Sequence, residues 1–243
     1  MDSQTILIAA GVLAVAALAQ AATGFGFSLL AVPLLGLVVG PVDAVVGSSI
    51  LAVLINAAAV TRDHAEVRWR TARTVLVAGL AGLPFGLLLL TLLPARTLTI
   101  LIAVCVLGGA FAIWRGLRLR AGRAAIAAAG FLSGILTTAT GVNGPPMAAA
   151  FSAMGLPPRQ FRATLAAIFV VVGPAGLLGF ALAGQFTARS LTVAAVGLPA
   201  VALGWWAGDR LFTQLTDPAR FRTVVLCALV AASAITLFRA AFP

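Results

Sequence analysis

Apolar runs recur along almost the whole of this 243-residue chain, separated by short stretches that hold nearly all of its charge. Most runs are about 16 to 20 residues long, the length a helix needs to cross a hydrocarbon core about 30 Å thick. Ten segments are expected, at about 5–22, 24–39, 44–60, 74–92, 97–114, 124–140, 145–156, 163–182, 191–208 and 223–239. Charged residues make up 9% of the chain, against about 25% in a soluble domain. Hydrophobic residues make up 62% and the mean hydropathy is +1.13. The pattern predicts an all-α, polytopic integral membrane protein. A β-barrel would instead alternate over short segments.

The net charge of +10 comes from arginine alone; the chain has no lysine. A basic chain can bind nucleic acid, but these arginines lie between the apolar segments, where they set topology. No nucleic-acid partner is expected. With the N-terminus outside, thirteen arginines fall on the cytoplasmic side and only Arg96, Arg189 and Arg239 outside. That split satisfies the positive-inside rule. A bacterial inner-membrane location with the N-terminus outside is expected. Asp2 and the lack of a basic leader make residues 5–22 a retained first span.

Two glycine-rich interruptions stand out. Ala22-Thr23-Gly24-Phe25-Gly26-Phe27-Ser28 breaks the first apolar region, and Ala139-Thr140-Gly141-Val142-Asn143-Gly144-Pro145 breaks another 117 residues later. Such breaks are costly in lipid unless the freed backbone groups find partners or line a cavity. Paired breaks in two halves of a membrane chain point to a transport site. The segments beginning at 24 and 145 are short, and read either as short spans or as the returning arms of re-entrant hairpins.

Five segments per half form an odd number, so the second half enters from the opposite side. The expectation is two inverted repeats, 1–114 and 124–243, joined by a basic cytoplasmic connector at 115–123. A shift of 117 places Ala22-Thr23-Gly24 on Ala139-Thr140-Gly141 and Pro41 on Pro158. Further on, Thr71-Ala72-Arg73-Thr74 resembles Thr187-Ala188-Arg189-Ser190, Gly82-Leu83-Pro84 resembles Gly197-Leu198-Pro199, and Pro94-Ala95-Arg96 recurs as Pro218-Ala219-Arg220.

No enzymatic motif is present: there is no zinc-binding histidine pair, no G-x-S-x-G elbow and no intramembrane carboxylate pair. Gly24-Phe25-Gly26 lacks the strand, third glycine and acid of a dinucleotide fingerprint. His64 has no second histidine to share a metal, so neither metal nor cofactor is expected. Cys105 and Cys227 sit inside apolar spans as small core residues. The acids all fall at span ends or in connectors. Asp43 is nearest the membrane interior, where a helix N-terminal role competes with a site role.

The breaks remain as the place for chemistry. A helix that starts after a glycine-rich break offers unpaired N–H groups and a positive dipole end, suited to a small oxyanion. Pro145 fits the first turn of such a helix. Gly24, Gly26, Gly141 and Gly144 allow close approach, while Thr23, Ser28, Thr140 and Asn143 add side-chain donors and acceptors. Asn56 is costly to bury unpaired, so it either bonds across helices or lines the path. Ser48, Ser49 and Asp43 are second-rank candidates. Close helix packing is the competing reading of the glycines.

At these residues the chain resembles the TauE/SafE family, the sulfite exporter or toluene-sulfonate-uptake permease group. Gly24-Phe25-Gly26-Phe27-Ser28-Leu29-Leu30-Ala31-Val32-Pro33-Leu34-Leu35 is similar to its first Gly-rich segment. Gly141-Val142-Asn143-Gly144-Pro145-Pro146-Met147 is similar to the counterpart in the second half, with Asn143 where members often carry another glycine. The resemblance implies an inner-membrane secondary carrier for small anions such as sulfite, organosulfonates or related carboxylates. It would place Gly24, Gly26, Gly141 and Gly144 beside the substrate. Alternating access is the expected mechanism, with the anion gradient or a coupled proton as the driving force. An anion channel and a non-transporting membrane scaffold stay open.

Overall fold

The computed structural model describes residues 1–23, 26–114 and 122–214. Gly24, the Thr23 side chain, most of the connector, and the tenth segment with Cys227 lie outside the described residues. The described residues are all-helical: α1 (Ser3–Thr23), α2 (Phe27–Val39), α3 (Pro41–Asp63), a single 3-10 turn (His64–Glu66), α4 (Trp69–Leu92), α5 (Ala95–Trp114), α6 (Arg123–Ala139), α7 (Gly144–Ala153), α8 (Pro158–Leu182) and α9 (Ala188–Gln214). Five of them, α1, α3, α4, α8 and α9, are long and apolar enough to cross a bilayer. Their outer faces are apolar, with Leu7, Val77, Leu92 and Leu182 each more than 70% exposed. Faces of this kind suit lipid rather than water.

The two short segments differ from full spans. With 13 residues in α2 and 10 in α7, their lengths are about 20 and 15 Å at 1.5 Å per residue. Neither reaches across a core of about 30 Å. Each is the short arm of a helical hairpin, α1–α2 or α6–α7, whose tip is one of the glycine-rich breaks.

Helix starts follow local rules. Pro41 and Pro158 open α3 and α8, where a missing N–H costs nothing. The Ser190 N–H donates to Thr187 Oγ1 at 2.9 Å and the Thr187 N–H donates to Ser190 Oγ at 3.0 Å. This reciprocal box caps α9. The Thr187 hydroxyl also donates to the Asp43 carboxylate in the first turn of α3. At the start of α4, the Arg68 N–H donates to Thr164 Oγ1 of α8 at 3.0 Å, and Arg68 Nε donates to Gln160 Oε1 at 2.9 Å. So α3 is tied to the start of α9, and α8 to the start of α4.

The same alternation holds for packing. The broadest helix contacts are α4 with α6 and α1 with α9; α3 crosses α8, α3 also packs on α9, and α8 on α4. Both of the broadest contacts bring backbones together through glycine. A Cβ on Gly134 would overlap the Gly79 carbonyl, and one on Gly204 would overlap the Ala14 carbonyl. Small residues are what permit such approach in a membrane.

Candidate functional site

The tips of the two hairpins meet at one cavity of ≈ 50 Å³. Its wall is drawn from α1, α2 and α3 and from α6, α7 and α8. A water needs roughly 10–15 Å³ by this measure, so the space holds a few waters or one small oxyanion.

Each break turns on a glycine with positive φ. Gly26, at φ 111°, precedes α2, and Gly141, at φ 67°, lies between α6 and α7. L-residues with a Cβ rarely adopt that region. A Cβ on Gly141 would also come within 3.2 Å of Val32 Cγ2. The turns aim the first residues of both short helices into the cavity: Phe27, Ser28 and Leu29 from α2, and Asn143 and Gly144 at the start of α7. First-turn N–H groups have no acceptor within their own helix. Pro145 and Pro146 carry no N–H, so α2 supplies more backbone donors than α7.

Of the residues expected at the site, Gly26, Ser28, Asn56, Gly141, Asn143, Gly144 and Ser49 line the cavity. Asn56 is 8% exposed and its Nδ2 donates to the Ala52 carbonyl at 2.7 Å. Among the described residues its Oδ1 has no protein partner. Asn143 Nδ2 donates to Thr137 Oγ1 at 3.2 Å, and its carbonyl accepts from Ser133 Oγ at 3.0 Å. Ser49 Oγ donates to the Val45 carbonyl at 2.7 Å.

Four expected residues do not line the cavity. Thr140 is fully buried; its hydroxyl donates to the Leu136 carbonyl and accepts the Val142 N–H, closing the end of α6. Pro145 packs against Gly109 of α5, where an added Cβ would touch its ring. Ser48 is fully buried and donates to the Val45 carbonyl. Asp43 holds Thr187, as described above. Thr140 and Ser48 are taken by backbone of their own helix, Pro145 by packing, and Asp43 by a side chain at the start of another helix.

The wall also contains residues that no motif signalled: Gln20, Thr137, Phe169, Gly173, Gly176 and Phe180 among them. Gln20, at 6% exposure, accepts the Phe27 N–H on Oε1 at 2.9 Å and so bridges the first break. Gly173 lets α8 approach α3; a Cβ there would lie 2.6 Å from Val53 Cγ2. A usable signal did exist. The 117-residue shift that aligns the breaks pairs Gln20 with Thr137, Gly26 with Asn143, Phe27 with Gly144, Ala52 with Phe169 and Asn56 with Gly173, and all ten line the cavity.

The wall carries neutral polar groups and apolar faces. Among the described residues, no ionisable side chain lines it. The guanidinium contact nearest the first break is Arg162 Nη2, which donates to the Ala21 carbonyl at 3.5 Å, at the negative end of α1.

The chain is similar to a probable sulfite/organosulfonate exporter TauE of Cupriavidus necator, with 29% identity over 219 residues, covering 87% of this chain and 85% of the relative. No solved structure matches it. The family model for the sulfite exporter TauE/SafE matches residues 7–236. The chain belongs to the sulfite exporter TauE/SafE family.

Proposed function

We propose that this protein is a secondary carrier for a small sulfur-containing anion, sulfite or a short organosulfonate, with related carboxylates as weaker substrates. The observation that carries the reading is the convergence of both broken hairpins on one small cavity walled by peptide and amide donors. Helix N-termini favour anions, and a neutral site can hold one by hydrogen bonds alone. The exporter named among its relatives supports the sulfur-containing class.

The two halves act as inverted repeats. Exchange α1 with α6, α3 with α8, and α9 with α4: the α1–α9 contact becomes α6–α4, and α3–α9 becomes α8–α4. The five cavity pairs follow the same exchange. Alternating access is a rocking of these related bundles about the cavity, first toward one side and then the other. The bacterial inner membrane, with the N-terminus outside, is the orientation that the arginine distribution supports. Among the described residues no carboxylate lines the cavity, which favours a proton carried on the substrate over one relayed by a side chain.

Reconstituted vesicles test this. Uptake of sulfite and methanesulfonate should saturate and should show counterflow when unlabelled anion is trapped inside. Unitary currents without counterflow would make the protein a channel. No anion flux above that of empty vesicles would make it a scaffold.

A further inference from the structure

Gln20 has one end of its amide assigned and, among the described residues, the other end open. The Phe27 N–H can be met only by a carbonyl oxygen, so the 2.9 Å bond to Oε1 fixes which way the amide lies. Nε2 is then the remaining end, carrying two hydrogens. Among the described residues no protein acceptor meets them. The side chain is 6% exposed and lines the cavity. A buried donor pair without a partner is costly, and it suits a ligand rich in acceptor oxygens.

The second break is held differently. Thr137, the counterpart of Gln20 under the 117-residue shift, accepts Asn143 Nδ2 and gives its own hydrogen to the Ser133 carbonyl at 2.7 Å. That closes its donor capacity. Both breaks are therefore bridged by the last turn of the preceding helix, but among the described residues only the first bridge keeps spare hydrogens.

We infer that Gln20 is a substrate-binding residue with two tasks: Oε1 holds the start of α2, and Nε2 donates to an oxygen of the bound oxyanion. The inference rests on the cavity being the anion site. It also explains how a cavity with no charged wall group can hold α2 in register and still present a side-chain donor beside the helix N-terminus.

A cap and a ligand donor respond oppositely to a carboxylate. A helix N-terminus welcomes negative charge, so Gln20→Glu would preserve or improve a purely structural cap. Facing an anion, the same carboxylate removes two donors and adds repulsion. Once protonated, it again offers a carbonyl and one O–H. The test is the shift in unfolding temperature of the full-length, detergent-solubilised protein on titration with methanesulfonate, which stays a monoanion throughout. For wild type, methanesulfonate affinity is flat between about pH 5 and 9, the span over which a buried carboxyl can titrate. For Gln20→Glu it falls at least about tenfold as pH rises through that titration, the loss expected for a charge-assisted bond. Gln20→Met, which lacks both polar ends, binds at least about tenfold more weakly at every pH. If Gln20→Glu follows wild type across the whole range, or if folded Gln20→Met keeps wild-type affinity, Gln20 is a cap alone and the inference fails. If wild type shows no shift with methanesulfonate or sulfite, the anion-site reading itself fails, whatever the variants do.

Discussion

At the residue scale, backbone conformation at the breaks decides what else can stand there. Gly141 and Gly155 have nearly the same positive φ, 67° and 62°. An alanine at either position pays the left-handed penalty of about 1–2 kcal/mol. Their surroundings differ. At Gly155 a Cβ meets nothing within 4 Å, whereas at Gly141 it meets Val32 Cγ2, Val45 Cγ1 and Ser49 Oγ, the last being part of the cavity wall. Gly141→Ala and Gly155→Ala should therefore both lose thermal stability, Gly141→Ala the more because Val32 must also give way. Only Gly141→Ala should also lose methanesulfonate-dependent stabilisation and flux, by at least about tenfold in apparent affinity if the wall shifts by a few tenths of an ångström. Equal retention of binding by both variants would mean that the second break does not shape the site. Asn56 gives a related prediction. Asn56 Nδ2 spends one hydrogen on the Ala52 carbonyl, and Asn56→Leu removes the second N–H, the one an anion can accept from, at nearly constant volume. It should weaken anion binding while leaving the fold intact, because Nδ2 bonds only to its own helix. Equilibrium binding and the ligand-free unfolding temperature separate the two effects.

At the element scale, the two broadest helix contacts are set by glycines lying directly against a neighbouring backbone. Thr138 Oγ1 adds a bond to the Leu83 carbonyl at 2.7 Å across the α4–α6 contact. Gly134→Val would drive a branched side chain into the Gly79 backbone and should lower the unfolding temperature sharply, with loss of flux. Gly108→Val in α5, where a Cβ meets nothing within 4 Å, should be close to neutral; thermal unfolding in detergent compares the two directly. If both variants unfold alike, the α4–α6 approach is not tight. Much of this was legible in the sequence, because hydropathy sees apolar length and glycine sees breaks. The shortness of α2 and α7 and the positions of their starts were read to within a few residues. Helix ends were read less well: α4 begins at Trp69 rather than about 74, and α8 at Pro158 rather than about 163. Their first five residues include Arg70, Arg73, Arg159 and Arg162, and polar turns that extend past the hydrocarbon look like loop to a hydropathy reading. Gln20 and Thr137 escaped notice for another reason. A lone polar group in an apolar run does not reveal which backbone group, several residues further on, the turn will bring to it.

At the scale of the whole molecule, inversion of the two halves is a claim about sides, and it can be separated from the shape of the cavity. Ala65 lies in the 3-10 turn between α3 and α4, and Ala188 opens α9 after the turn that follows α8. Both are exposed, and the two turns correspond under the exchange of halves. Between them the chain runs through α4, α5, the α6–α7 hairpin and α8. The hairpin returns the chain to the side it came from, whether or not its arms span, so the remaining three helices give an odd number of crossings. In an inverted repeat the two turns therefore face opposite sides of the membrane; in a parallel repeat they would face the same side. With Cys105 and Cys227 replaced by alanine, Ala65→Cys should react with an impermeant maleimide only from the cytoplasmic face, and Ala188→Cys only from outside. The arginines predict which is which, because Arg68, Arg70 and Arg73 crowd the first turn while Arg189 stands alone beside the second. Labelling of both cysteines from one face would break the pseudo-symmetry at its root, since the breaks would then enter the bilayer from the same side and their helix N-termini would not oppose each other across the cavity. Labelling from opposite faces in the reverse order would preserve the repeat and overturn only the orientation.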